Sequence, residues 1–126
     1  MSGFLINPYA HAGRNLQQLI TRLGLTTVLC LDAGSSGSYP GTGQTWFDLS
    51  GNGNDYQFGA TSGAEASDPT FNGSAGGLSE NEYMSFDGGD YLIPTGTPTF
   101  DDGWHQNNGI FTMGMVYRVA TAQMAP

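Results

Sequence analysis

The chain has 126 residues, 38% of them hydrophobic, with 20 glycines, one cysteine and a formal net charge of −8 from eleven acids against three basic residues. This length and apolar content support one small domain with a modest core. The charge excludes free nucleic acid as a partner, because phosphate binding needs clustered Lys and Arg, and a single cysteine excludes a disulfide framework. The same negative field disfavours anionic membrane surfaces, and no apolar run approaches the ~20 residues of a membrane-spanning helix.

Residues 1–13 read as an irregular arm carrying Phe4, Pro8 and Tyr9. The arm does not pair a basic region with an apolar core, so exit from a cell by lysis or assembly, rather than secretion, is the expectation. Over 14–23, Leu16, Leu19, Ile20 and Leu23 recur at helical spacing, and Gly24 stands where a left-handed C-terminal cap belongs. A short amphipathic helix is predicted there. Such a helix is marginal alone, so its apolar stripe needs support, either from the chain's own body or from a neighbouring subunit. Two units follow: an arm with a docking helix, 1–25, and a β unit, 26–126.

From Thr26 onward, short aromatic and aliphatic runs alternate with Gly, Asn and Asp clusters, the pattern of antiparallel strands joined by tight loops. Strands are predicted at 28–32, 46–49, 56–58, 83–86 and 91–93. A longer one is predicted at 110–119, where Phe111, Met113, Met115, Tyr117 and Val119 form an apolar face that must lie against a second sheet. The Gly/Ala/Ser-rich segment 59–79 reads as a long connection. Cys30 sits inside the apolar run 28–31 and reads as a buried strand thiol, and Trp46 reads as a core residue.

Three runs carry a family resemblance: LDAG at 31–34, SYPGTGQTWFDLSGNGN at 38–54 and SFDGGDYL at 85–92. Together they resemble the opening half of the laminin-G-like, concanavalin A-like jelly-roll family, in the variant common in bacteriophage virion proteins and bacterial surface proteins. The resemblance implies a mainly β fold, an antiparallel β-sandwich of which 26–126 is the N-terminal part, with a short N-terminal helix before it. It also implies a non-catalytic structural or adhesion role in a phage-like particle, as a tail or head fibre component located in the virion. Other virion subunits, copies of the same chain and host surface glycan are the partners it implies. A return half lying further along the polypeptide, or strands from neighbouring copies, would close the sandwich; the first is the expectation. The alternatives are a stand-alone carbohydrate-binding module and a glycoside hydrolase of concanavalin-like fold.

Many laminin-G-like domains hold a calcium ion at the sandwich rim, which makes Asp32, Asp48, Asp55, Asp87 and Asp90 candidate ligands here. As plain turn residues, Asp87 and Asp90 would favour a hairpin around Gly88 and Gly89, and the GNGND run at 51–55 would supply positive-φ positions between two strands. Its likeness to a calcium nonapeptide repeat rests on a single copy. Catalysis has little support. A glycosidase needs two carboxylates flanking the scissile bond, and only Glu80 and Glu82 come near that spacing, without a third acid. His11 and His105 stand too far apart for a zinc site and beside no serine elbow. For sugar binding, the polar loop 100–109 offers Trp104 with Asp102, Asn107 and Asn108, an aromatic face beside amides and a carboxylate. Trp104 can equally anchor its loop on the sandwich. Assembly contacts are assigned to Phe4, Leu16, Leu19, Ile20 and Leu23.

Overall fold

The structure, a computed structural model, describes residues 14–96 and 113–115. Helix α1 spans Leu16–Arg22 and is followed by five short strands, β1 Thr45–Trp46, β2 Tyr56–Phe58, β3 Thr70–Asn72, β4 Tyr83–Ser85 and β5 Leu92–Pro94. They form two antiparallel sheets, β1-β2-β5 and β3-β4. The described residues are therefore mainly β with one short helix.

α1 begins where a capping box allows it. The Asn15 side chain accepts from the Gln18 N–H at 2.9 Å, and the Gln18 side chain accepts from the Asn15 N–H in return. It ends at Gly24, whose φ of +70° is the left-handed conformation expected of a C-terminal cap. No helix residue is fully buried: Leu16, Leu19 and Ile20 are half-buried, and Leu23 beyond the helix is 58% exposed. The helix is held mainly by polar ties. Its first N–H, on Leu16, donates to Asp32 Oδ2 (2.9 Å), Asn15 Nδ2 donates to Ser35 Oγ, and Thr27 Oγ1 donates to Gln17 Oε1 (2.8 Å).

Alternation places Trp46, Tyr56, Phe58, Leu92 and Pro94 on one face of the three-stranded sheet, with Thr45, Gln57 and Ile93 on the other. The first face is the core side, and Phe58 is 2% exposed. Tyr39 joins the sheets, its ring 5.3 Å from that of Phe58 and 5.1 Å from that of Phe71 on β3. Trp46, expected in the core, is half-buried at its margin and meets Phe58 edge-on at 6.4 Å.

Several expectations need correction. Residues 28–32 are not a strand, because side chains from downstream occupy their backbone groups, as described below. The segment 59–79 is not merely a connection: it contains β3, whose Phe71 packs on Tyr39. The turn at Gly88 and Gly89 is not a hairpin, since β4 pairs with β3 while β5 pairs with β2. Tyr91 N–H donates to Ser67 O, and Gly59 N–H donates to Tyr91 O, which draws β5 alongside β2. Of the expected strand 110–119, the described residues Met113 and Met115 are 75% and 74% exposed and lie in no strand, so no second sheet covers their side chains.

Candidate functional site

The most densely bonded feature is the loop 48–55 between β1 and β2. Asp48 Oδ1 accepts from the Cys30 N–H (2.8 Å) and the Ser50 N–H (2.9 Å), while Oδ2 accepts from Ser50 Oγ and the Asn54 N–H (3.1 Å). Asn54 Nδ2 donates to Val28 O (2.8 Å), and Asn52 Nδ2 donates to Thr27 O (3.1 Å) and Val28 O (3.2 Å). Leu49 N–H donates to Cys30 O. The loop is a polar staple across 27–30, and Gly51 and Gly53, at φ +88° and +71°, let it turn tightly enough to aim these groups. Cys30 beneath it is buried, and burial, with Asp32 and Asp48 nearby, pushes its thiol up to about 11.

This bonding decides what the candidate calcium ligands do. Asp32 is buried and accepts from the Leu16 and Gly34 N–H groups. Asp48 serves the staple, and Asp55 Oδ1 accepts from the Asp48 N–H (2.8 Å). Asp90 accepts from the Asp87 N–H and Asp87 from the Gly89 N–H, each at 2.8 Å, closing the turn between β4 and β5. Among the described residues, no group of three His, Cys, Asp or Glu side chains is placed to hold a metal ion. Glu82 is buried with Oε2 accepting from Ser79 N–H and Oγ, so it organises the 73–82 loop while Glu80 is exposed. The Ser79 hydroxyl, with backbone N–H groups, holds its carboxyl below the usual glutamate range.

Asp87 and Asp90 do meet other polar groups, in an open cleft of about 320 Å³ between the 65–70 and 85–90 segments. Thr70 and Ser85 come from paired positions on β3 and β4, and the Phe86 ring stands beside them, 46% exposed. Glu65 and Asp68 supply the opposite rim, where the Glu65 N–H donates to Asp68 Oδ2 (2.8 Å). The Ala60 and Thr61 N–H groups hold the Glu65 carboxyl below its ordinary range. Among the described residues no basic side chain lines this cleft. An aromatic face, hydroxyls and carboxylates are groups that meet a polyhydroxylated ligand, and they would reject an acidic one.

Sequence reasoning found Asp87 and Asp90 but missed Glu65, Asp68, Thr70 and Phe86. The available signal was the alternation Thr70-Phe71-Asn72 after an acidic, proline-bounded turn, inside a stretch whose small residues pointed to a plain connection. The sugar-loop candidates Trp104, Asp102, Asn107 and Asn108, both histidines and Phe4 lie outside the described residues. Of the described assembly candidates, Leu16, Leu19 and Ile20 share one short helix and Leu23 caps its C-terminal end.

Among the described residues no helix is long and apolar enough to cross a membrane. Comparison with known proteins returns no match to any family model, curated protein or solved structure.

Proposed function

We propose that the chain is a non-catalytic structural and adhesion module of a phage-like particle. In this reading a laminin-G-like jelly roll, anchored through its N-terminal arm and helix, presents loops to host surface glycan. The observation that carries the glycan part is the exposed Phe86 ring at a cleft furnished with the Thr70 and Ser85 hydroxyls and with carboxylates. The four acids at its rim favour neutral or amino sugars over acidic ones. Support for the anchoring part is the helix, held by polar ties and leaving its leucines only half covered. The particle assignment rests on the sequence resemblance and on fold-level analogy.

The test is binding of the purified chain to a panel of neutral, amino and acidic glycans, with Phe86→Ala and Trp104→Ala as paired variants. Phe86→Ala should weaken binding about tenfold if the ring carries the sugar face. Binding lost in Trp104→Ala alone would move the site to the 100–109 loop. Absence of binding across the panel would overturn the adhesion reading, and release of reducing sugar would replace it with a hydrolase.

A further inference from the structure

We propose that Asn52 is a site of spontaneous deamidation, and that the change loosens the staple across 27–30 at Thr27 and Val28. Asn52 is followed by Gly53, whose lack of a side chain leaves its backbone nitrogen open to approach, and both residues are exposed in a turn outside any strand. The Gly53 nitrogen attacks the Asn52 side-chain carbonyl carbon. A C–N bond forms, the bond from that carbon to Nδ2 breaks, and the amide leaves as ammonia carrying the proton from the glycine nitrogen. Water then opens the succinimide ring at either carbonyl, giving aspartate or isoaspartate.

The fold gives this reaction a local consequence. Asn52 Nδ2 is a donor to Thr27 O, Val28 O and Ser50 Oγ, at 3.1, 3.2 and 2.9 Å. A carboxylate in its place has no proton to give, and it sets negative oxygen against two carbonyl oxygens. Isoaspartate also lengthens the backbone of a turn whose glycines hold positive φ. Thr27 additionally hooks Gln17 of α1 through its hydroxyl, so loss of its carbonyl partner reaches the helix.

The chain contains an internal comparison in Asn72-Gly73. There the Asn72 amide also has acceptors, Thr70 O and Ser85 Oγ at 3.0 and 3.2 Å, but Asn72 is paired with Tyr83 in the β3-β4 ladder. Bringing its side-chain carbon to the Gly73 nitrogen requires leaving extended backbone geometry and opening that pairing. Asn52 lies in no strand and pairs in no ladder, so only its side-chain amide bonds have to let go, and reaction there should run about tenfold ahead of Asn72, whose rate waits on local opening of the ladder.

The experiment ages the full chain at neutral pH and follows it by intact mass and peptide mapping that separates Asn52, Asn72 and Asn108. The expected result is isoaspartate and aspartate accumulating at Asn52 while Asn72 stays amidated, with the preference lost in strong denaturant. Faster backbone hydrogen exchange at 27–30 should follow in the aged protein, and Asn52→Asp should reproduce part of it. Asn52 intact, or Asn52 and Asn72 converting equally in the folded chain, would overturn the proposal. Conversion with unchanged exchange at 27–30 would overturn its structural consequence.

Discussion

Removing the Asp48 carboxylate should cost this protein a large share of its stability. The side chain satisfies three backbone N–H groups, on Cys30, Ser50 and Asn54, and two of those residues, Cys30 and Asn54, are each 4% exposed. In Asp48→Ala no water readily replaces the lost acceptors at the buried pair. Each unmet buried group costs ~1–3 kcal/mol, so the two together put the loss at about 3–5 kcal/mol. A small domain has only ~5–15 kcal/mol in total, and the melting temperature should fall on the order of 15 °C. Asp48→Asn keeps the shape and one acceptor oxygen but turns an NH2 toward former donors, and about half the loss is expected. Asp55→Asn, touching only the bond from the Asp48 N–H, should cost ~1 kcal/mol. Urea denaturation with a common m-value measures all three. If Asp48→Ala melts with the wild type, within ~0.5 kcal/mol, the staple is not what holds 27–30 and the reasoning fails.

Other outcomes follow from the same geometry. Phe58→Ala, which empties the space beside Tyr39 and Trp46, should cost ~3–5 kcal/mol in the same denaturation assay. Gly73→Ala meets both a φ of +101° and the Asn81 carbonyl oxygen at 2.7 Å, and a loss of about 2 kcal/mol is expected where Gly96→Ala, in open space, changes little. Glu65 and Glu82 are held below the ordinary glutamate value of 4.5, so the stability they contribute is full above it and is lost as pH falls through their lowered values. Glu82→Gln should accordingly flatten the acid limb of a melting-temperature profile. Cys30, with its thiol at about 11, should resist alkylation at neutral pH in the folded chain and react readily once denatured, as mass spectrometry would record.

Much of the β architecture was legible because its signals are local. Strands β2, β4 and β5 fall within a residue or so of the aromatic and aliphatic runs that announced them, and α1 ends at the predicted Gly24. The run 28–31 misled because a short, continuous apolar stretch opening on Val28 meets the local criteria for a buried strand, while the groups that claim its backbone are Asp48, Asn52 and Asn54, some twenty residues on. No periodicity shows such a partner. The 48–55 loop was readable as turn chemistry, but the reach of its side chains was not. β3 hid among small residues for the converse reason: its place depends on one ring, Phe71, meeting Tyr39 across the sheets. The cleft was half visible, since Asp87 and Asp90 mark a turn by themselves, whereas Glu65 and Asp68 join them only through the path of the chain between β2 and β3.

The staple also bears on how this chain avoids its own kind. The sequence Thr-Val-Leu-Cys-Leu at 27–31 is uncharged and rich in strand-forming residues, the composition that recruits a second chain into an intermolecular ladder. Proteins often guard such stretches with lysine, and this chain has none. Here the protection lies in occupancy. The Val28 carbonyl is taken by Ser50, Asn52 and Asn54, the Cys30 N–H by Asp48 and the Cys30 carbonyl by Leu49, so an approaching strand finds those positions already bonded.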